Sequence, residues 1–185
     1  YLDIPIQHVN NDILRRMNRR GTGDEIRTLL HILRARIPGL VLRTSLITGL
    51  PGEGEAEFQE LLDALEELRI ERVGVFPFSP EEGTPAAAMA HCDAETAATR
   101  AEQVLELQGR ILDEFAEAQV GRTLDVLIEG PWEEDSGLLV GRSWADSPEV
   151  DSFVVADGDA QAGEIVPVFI RRAENGVLYG EVKPC

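Results

Sequence analysis

Three short segments of the sequence place polar residues or glycines directly after an apolar run. They are Gln7-His8, the loop Gly49-Leu50-Pro51-Gly52-Glu53, and the segment from Phe76 to Ser79. In parallel sheets, ligands bind at the carboxyl ends of the strands. The glycines of the loop let its backbone approach a ligand closely, and the helix that follows offers free N–H groups. These segments are therefore candidate ligand-binding positions, although glycine and proline in such a turn are a weak signal by themselves.

Two polar residues, Arg43 and Ser45, interrupt the apolar run of residues 40–49. Because side chains alternate along a strand, the leucines at 40, 42 and 46 are expected to pack on helices while these two residues face the other side. An inward arginine is unfavourable unless it meets an anion or a carboxylate. Arg43 is therefore predicted either to contact a ligand or to form an ion pair with Asp3, which shares a strand face with Gln7.

The chain up to about residue 118 alternates between β-rich runs and helical patterns. Strands are predicted over residues 1–8, 40–49 and 72–79. Helices are predicted after a cap at Asn10 or Asn11, after the capping box formed by Thr22 and Glu25, from Phe58 to Leu68, and from Asp93 to Phe115. This alternation is typical of an α/β protein with a parallel sheet.

The pattern changes after about residue 118, where short strand-like runs are separated by Gly, Pro, Asp and Asn turns. These runs cover residues 123–128, 138–141, 152–155, 164–170 and 177–181. Five short strands at regular spacing predict a small, closed, all-β barrel. The sequence is therefore expected to divide into two domains, residues 1–118 and 119–185.

The charge balance of the chain is strongly acidic, with 17 basic and 34 acidic residues and a net charge of −17. The predicted β domain has five basic and thirteen acidic residues, a net charge near −8. A surface of this sign repels phosphate, so RNA is an unfavourable partner and a basic protein a favourable one. Acidic composition that serves only solubility is the alternative.

Cysteine and histidine usage predicts no metal site. Cys92 and Cys185 lie far apart and belong to no paired motif, which is typical of unpaired cytosolic thiols. Among the three histidines, only His8 ends a predicted strand, whereas His31 and His91 are expected at the surface and in a loop. No apolar run approaches the length of a membrane helix, and no export signal is visible. A cytoplasmic monomer without membrane contact is expected.

Three motifs, read in order, resemble one known family. The segments YLDIPIQH, RTSLITGLPGE and RVGVFPFSPEEGTPAA are similar in order and spacing to the fourth, fifth and sixth strand regions of the radical S-adenosylmethionine methylthiotransferases. The resemblance implies the C-terminal half of a partial parallel (β/α) radical SAM barrel, followed by an OB-like, five-stranded TRAM barrel. It also implies S-adenosylmethionine as cofactor and two 4Fe–4S clusters in the longer parent protein. The family's CxxxCxxC cluster motif does not occur in this sequence.

The resemblance also assigns a set of residues to the cofactor site. By this comparison, the strand-end residues and the glycine-proline loop line the S-adenosylmethionine site, with Gln7, Arg43 and Ser45 facing the cavity. The residues implied as cofactor contacts are Gln7, His8, Arg43, Ser45, Gly49, Pro51, Gly52, Glu53, Phe76 and Ser79.

The segment GRSWADSPEVDS at residues 141–152 distinguishes two branches of the family. It resembles the TRAM signature of the enzymes that add a methylthio group to the β-carbon of an aspartate in the twelfth protein of the small ribosomal subunit. A basic small-subunit ribosomal protein is therefore the implied partner. The residues expected to bind it are Trp132, Trp144, Asp146, Glu149 and Asp151, with the two tryptophans as anchors if one face exposes both, or as core residues otherwise.

Two alternatives remain open at this point. The first is a methylthiotransferase that modifies adenosine in transfer RNA, since that branch also carries a TRAM domain. The second is a non-catalytic, acidic protein-binding module in which the half barrel is only structural.

Overall fold

The computed structural model describes residues 1–133 and 136–183 of the chain. The chain divides into two compact units, one covering Leu2–Ile111 and the other beginning at Leu112 and including Tyr1. This division lies within a helix, and the domain boundary expected near residue 118 stays a prediction. Among the described residues, no helix combines the length and the apolar character needed to cross a membrane.

The first unit is built on a three-stranded parallel sheet in the order β1-β2-β3. The strands are β1 (Leu2–Asp3), β2 (Leu42–Thr48) and β3 (Arg72–Pro77). The helices are α1 (Asn11–Arg16), α2 (Gly23–Arg36), α3 (Glu55–Leu68) and α4 (Ala94–Glu117), which begins in this unit. The strand–helix alternation expected from the sequence is confirmed.

The N-terminal strand is much shorter than the predicted range of residues 1–8. Only Leu2–Asp3 forms a strand, and Gln7 returns to the sheet as an isolated bridge to Leu46. Two local features explain the break. Pro5 has no N–H to donate to the ladder, and Gln7 has a φ of 69°, in the left-handed region.

Side-chain caps begin the first two helices. Asn10, one of the two expected candidates, accepts hydrogen bonds from the N–H groups of the first turn of α1 at 2.9 and 3.1 Å. Thr22 and Glu25 form the expected capping box of α2. Each such cap typically stabilises a helix by about 1 kcal/mol, which is why these positions are readable from sequence.

The two faces of the sheet differ sharply. Along β2, every second residue from Leu42 to Thr48 is buried against the helices, whereas Arg43, Ser45 and Ile47 are only partly buried. The core on the helical side contains Leu42, Leu46, Leu30, Phe58, Leu61, Leu65, Val104 and Ile111. The predicted alternation is therefore confirmed. The face with Arg43 and Ser45 is the less buried face of this sheet.

The second unit contains a closed five-stranded barrel in the order β4-β5-β6-β8-β7. Its strands are β4 (Thr123–Pro131), β5 (Leu138–Arg142), β6 (Val154–Asp157), β7 (Ile165–Glu174) and β8 (Val177–Val182). All neighbours are antiparallel except β6 and β8. The interior contains Leu124, Val126, Ile128, Val154, Ala156, Val168, Ile170 and Leu178. The expected five-stranded barrel is confirmed, with β6 beginning at residue 154, later than predicted.

Candidate functional site

A buried pair of polar side chains connects the ends of the first two strand regions. His8 Nε2 lies 3.4 Å from Glu53 Oε2, and both side chains are fully buried. The N–H of Asn10 donates to His8 Nδ1 at 2.9 Å. Since Nδ1 accepts this hydrogen bond, the ring proton is on Nε2, where it points to the carboxylate of Glu53. The pair therefore joins the segment after β1 to the loop after β2.

The other oxygen of Glu53 has two donors. Oε1 accepts from the N–H of Gly49 at 2.8 Å and from Arg100 Nη1 at 2.9 Å. Burial by itself raises the pKa of Glu53. The hydrogen bond from His8, the N–H of Gly49 and the Arg100 guanidinium together outweigh it, so the pKa lies below the ordinary value of 4.5. Glu53 is therefore an ionised residue held inside the protein.

Arg100 is also buried and has further partners on the same loop. Its Nη1 donates to the backbone oxygen of Glu53 at 3.0 Å, and its Nη2 lies 3.5 Å from Glu55 Oε2. The guanidinium carbon stands 5.2 Å from the centre of the Phe58 ring. One arginine on α4 thus contacts the loop after β2 and the first turn of α3.

His8 and Glu53 were both expected as cofactor contacts, and in the structure each side chain is buried and faces the other. Their role toward a cofactor stays a prediction. Any effect on a ligand would pass through the loop that they hold. Arg100 was not singled out from the sequence. The signal was there, because it occupies the apolar stripe of α4 with Ala97 and Val104, where a charged residue requires a buried partner.

The glycines of the loop serve internal packing. Gly49 has a φ of 76°, and a Cβ there would lie 2.5 Å from the Cβ of Ala97. Gly52 has a φ of 86°, and its Cβ would lie 1.8 Å from Arg16 Nη1. Helix α4 and the Arg16 guanidinium thus lie where side chains at these two positions would stand, and the role of both glycines toward a ligand stays a prediction. Pro51 is buried as well.

The remaining expected cofactor residues lie on or next to the partly exposed face of the sheet. Asp3 pairs in register with Arg43, and Ser45 with Gly74, so these residues share one face. Arg43 forms an ion pair with Asp3, the alternative that the sequence left open. This contact does not exclude a ligand role, because the Arg43 side chain remains 22% exposed. Its role in ligand binding stays a prediction.

The edge of this face is apolar and open. Phe76, in register with Ile47 on β2, is 58% exposed although it is a large aromatic residue in a strand. Ser79 lies in the exposed segment that follows β3, and Gln7 is half-buried at the end of the first strand region. An arginine, a carboxylate, the Ser45 hydroxyl and an exposed ring thus lie along one partly exposed face. This set of groups suits a ligand with charged and aromatic parts.

The residues expected to bind a protein substrate are separated in the second unit. Trp132 follows β4 and stacks on Phe153, with ring centres 4.6 Å apart. Trp144 follows β5 and is 40% exposed. The guanidinium carbon of Arg122 lies 5.9 Å from the centre of the Trp144 ring. Since Arg122 precedes β4, the two tryptophans lie at opposite ends of that strand. The conditional expectation of a single patch formed by both rings is therefore not met.

The loop that contains the other three expected residues is internally hydrogen-bonded. Asp146 is buried, and its Oδ2 accepts from the N–H and the hydroxyl of Ser143 at 3.0 and 2.7 Å. Asp151 accepts from the N–H of Ser147 at 2.8 Å. Glu149 is exposed and has a φ of 62°. The two aspartates thus shape the loop, and Glu149 presents its carboxylate to solvent.

No cluster of metal ligands is found in the part of the chain that the structure describes. Residues 1–133 and 136–183 contain no group of three or more His, Cys, Asp and Glu side chains able to hold a metal ion. Cys92 is a free thiol, and burial raises its pKa above the ordinary value. Cys185 lies outside the described residues.

Comparison with known proteins extends over both units. Residues 1–65 match the family model of the Radical SAM superfamily, and residues 120–182 match that of the TRAM domain. The chain is 48% identical over 184 residues to the "Ribosomal protein uS12 methylthiotransferase RimO" of Anaeromyxobacter sp. (strain Fw109-5) and 43% identical to the protein of that name from Bdellovibrio bacteriovorus. Each match covers 98% of this chain and 39% or 40% of the relative. The chain thus spans about two fifths of the length of these relatives.

One solved structure supports the architecture. Coproporphyrinogen III oxidase (HemN) from Escherichia coli, described as a radical SAM enzyme, superposes with a TM-score of 0.51 at 14% identity. The superposition covers 78% of this chain and 41% of that chain. At this identity the likeness concerns the fold alone. Together with the two domain matches, it confirms the expected combination of a partial radical SAM α/β unit and a TRAM barrel.

Proposed function

Because this chain belongs to the RimO-type family of radical S-adenosylmethionine proteins, we propose that it is part of a methylthiotransferase that modifies ribosomal protein uS12. The observation that carries the proposal is the sequence identity to the uS12-modifying relatives, which extends over both units. In this proposal the first unit supplies part of the cofactor site, and the TRAM barrel recognises the protein substrate.

The uncovered face of the sheet fits S-adenosylmethionine by its chemistry. The cofactor has a carboxylate, an ammonium group, ribose hydroxyls and an adenine ring. Arg43 and Asp3 offer charges opposite to the first two groups, and the exposed ring of Phe76 offers an apolar surface to the last. Ser45 adds a neutral hydrogen-bonding group on the same face, and Gln7 adds one at the carboxyl end of the first strand region. These residues would bind and orient the cofactor, and the buried His8–Glu53 pair would hold the neighbouring loop.

When bound, S-adenosylmethionine and a reduced 4Fe–4S cluster would supply the radical chemistry that activates the aspartate β-carbon for methylthiolation. Iron–sulfur clusters need thiolate ligands, and Cys92 is the one cysteine that the structure describes. In this proposal, the ligands of two such clusters belong to parts of the parent protein outside this sequence. The residues of this chain orient the cofactor and exclude water from it.

Charge supports a protein substrate. The TRAM region carries five basic and thirteen acidic residues, so a basic protein is attracted to it and a polyphosphate is repelled. Ribosomal proteins are generally basic, which agrees with uS12 as the partner. We also infer that the chain acts as a monomer and does not depend on RNA for this recognition.

One specific observation favours the transfer-RNA alternative. Three of the five basic residues of the TRAM region lie close to aromatic rings on β7 and β8. Arg171 and Lys183 stand 4.5 and 4.7 Å from the ring centre of Phe169, and Arg172 stands 3.5 Å from that of Tyr179. Cations beside aromatic rings are a common nucleic-acid platform. Two of these cations are paired, however, Arg171 with Glu181 and Arg172 with Glu174, which reduces their attraction for phosphate.

The deciding experiment uses the full-length parent enzyme with reconstituted clusters. It is incubated with S-adenosylmethionine, a reductant and either uS12 or transfer RNA, and both products are analysed by mass spectrometry. A methylthio group on an aspartate of uS12 is expected, with unmodified transfer RNA. Modification of adenosine with unmodified uS12 would contradict the proposal and support the alternative, and modification of neither would favour a non-catalytic binding module.

A further inference from the structure

Arg100 and His8 hold one carboxylate from opposite sides. His8 Nε2 lies 3.4 Å from one oxygen of Glu53, and Arg100 Nη1 lies 2.9 Å from the other. This 3.4 Å contact is an ion-pair contact, and neither His8 Nε2 nor Glu53 Oε2 forms a hydrogen bond with any described residue. The position of the Glu53 side chain is therefore set by these two residues together with the N–H of Gly49.

The same carboxylate fixes the backbone of the loop. Glu53 Oε1 accepts a hydrogen bond from the N–H of Gly49 at 2.8 Å, so the Glu53 side chain connects the last residue of the loop to its first residue. The backbone closes the loop as well, because the N–H of Glu53 donates to the oxygen of Leu50 at 2.9 Å. Arg100 reaches the loop twice, through the side-chain and backbone oxygens of Glu53. Moving the Glu53 side chain would therefore release the amide of Gly49.

Helix α4 contacts the loop through a second set of atoms. The hydroxyl of Thr48 donates to the backbone oxygen of Ala97 at 2.8 Å, in a buried position. Gly49 lies so close to Ala97 that a Cβ at position 49 would stand 2.5 Å from the Cβ of Ala97. The end of β2 is thus attached to α4 one turn before Arg100. The loop conformation depends on α4 both by packing and by charge.

We propose that Arg100 and His8 are positioning residues for the cofactor loop at residues 49–53, acting through Glu53 without touching the cofactor. The proposal rests on the proposed function, because it takes the loop at the carboxyl end of β2 as part of the S-adenosylmethionine site. The His8 side chain is fully buried against Glu53, and Arg100 Nη1 donates to both the side-chain and the backbone oxygen of Glu53, so the contacts of both residues with the loop converge on Glu53. A loop that already has its bound conformation loses little conformational entropy when the cofactor binds, so the affinity is higher than for a loop that must first be ordered.

The first test needs no enzymatic activity. Hydrogen exchange of the Gly49 amide is measured in the 185-residue chain for the wild type, Arg100→Met and His8→Leu. Exchange is expected to be at least about 10-fold faster in both variants, because the acceptor of that amide is no longer held. Arg110→Met is the matched control, since Arg110 is an exposed arginine on the same helix. Unchanged Gly49 exchange in folded Arg100→Met would overturn the proposal.

The second test measures S-adenosylmethionine directly in the full-length enzyme with its clusters. Calorimetry and steady-state kinetics are expected to show that Arg100→Met raises Kd and KM for the cofactor about 10-fold or more, while kcat changes less than about 2-fold. Arg100→Lys keeps the charge but loses the planar fork, so it should rescue the affinity only in part. His8→Gln keeps a donor toward Glu53 and should rescue more of the affinity than His8→Leu.

The outcomes separate this inference from the proposed function. Loss of thermal stability in Arg100→Lys with unchanged Kd for S-adenosylmethionine would reduce Arg100 to a structural residue and overturn the inference. If the variants weaken S-adenosylmethionine binding but the wild-type enzyme does not modify uS12, the positioning role stands and the proposed substrate is wrong.

Discussion

His8 and Glu53 face each other across 3.4 Å inside the first unit, although 45 positions separate them in the sequence. His8 follows the first strand region and Glu53 ends the loop after β2, so this pair joins the carboxyl ends of two neighbouring strands. An ionised carboxylate inside a protein is unfavourable unless hydrogen bonds and an opposite charge compensate it. Here His8, the N–H of Gly49 and Arg100 provide that compensation.

The ionisation of Glu53 predicts a specific pH dependence of stability. Hydrogen bonds and Arg100 hold the folded-state pKa of Glu53 below 4.5, even though burial opposes this. A lowered folded-state pKa means that the ionised group stabilises the fold above the unfolded-state pKa, and that this stabilisation is lost as the pH falls through the folded-state pKa. At pH values below about 4.5, the free energy of unfolding of the wild type should therefore decrease as the pH is lowered. Glu53→Gln should make this pH dependence weaker. Urea titrations at several pH values measure it.

At neutral pH, Glu53→Gln is also expected to lower the free energy of unfolding by about 3 kcal/mol, because it leaves the buried Arg100 guanidinium with only the exposed Glu55 carboxylate, 3.5 Å away, as a charge partner. The control is Glu106→Gln, which changes an exposed glutamate on α4. A variant as stable as the control at pH 7 would show that the network contributes little.

Gly49→Ala should be more destabilising than a comparable change at Gly83. Both glycines have positive φ values, 76° and 81°, so alanine is strained at either position by about 1–2 kcal/mol. At Gly49 the new Cβ would also meet Ala97 at 2.5 Å, whereas no atom lies within 4 Å of the Cβ position at Gly83. Overpacking adds about 1–3 kcal/mol to the cost at Gly49. Equal losses in urea unfolding would indicate that α4 moves to accommodate the methyl group.

Arg43→Ala tests whether the Arg43–Asp3 ion pair or a ligand explains the arginine on the open face. The pair is partly exposed, so its loss should cost less than about 1 kcal/mol of stability. A charge-assisted hydrogen bond to the cofactor contributes about 1.5–3 kcal/mol, and KM for S-adenosylmethionine in the full-length enzyme should therefore rise about 10-fold or more. Asp3→Asn removes the partner carboxylate and serves as the comparison. A sharp fall in thermal stability at unchanged KM would refute the ligand role.

The two tryptophans of the TRAM barrel should respond differently to substitution. Trp132 stacks on Phe153, so Trp132→Ala is expected to lower stability by at least about 2 kcal/mol. Trp144 is 40% exposed, so Trp144→Ala should lower it by less than about 1 kcal/mol. If Trp144 is the contact with uS12, its substitution should weaken binding about 10-fold or more, with affinity falling as salt is raised.

This tryptophan experiment titrates the chain with uS12 and with transfer RNA at two ionic strengths. Unchanged uS12 affinity in Trp144→Ala would locate the substrate contact elsewhere. Tight binding of transfer RNA without binding of uS12 would favour the alternative function.

The sequence alone predicted the elements whose causes are local. The capping box of Thr22 and Glu25, the alternation of buried and half-buried residues along β2, and the five strands of the barrel all follow from spacings of two to four residues. Such patterns depend on helix and strand periodicity, which each segment carries by itself. The short first strand shows the limit, because Pro5 and the positive φ of Gln7 break a run that is otherwise apolar.

Only the tertiary structure decided which polar side chains are buried against each other and which stay partly exposed on the sheet. The sequence placed His8, Glu53 and Arg43 at strand ends or on an inward face, and the fold separates them into a buried network and an open ion pair. It also added Arg100 and placed Trp132 and Trp144 at opposite ends of β4. The physical reason is that a buried charge is compensated by whichever partner the packing brings within about 3 Å. For Glu53 that partner comes from a helix 47 residues further along the chain, a distance over which local periodicity carries no information.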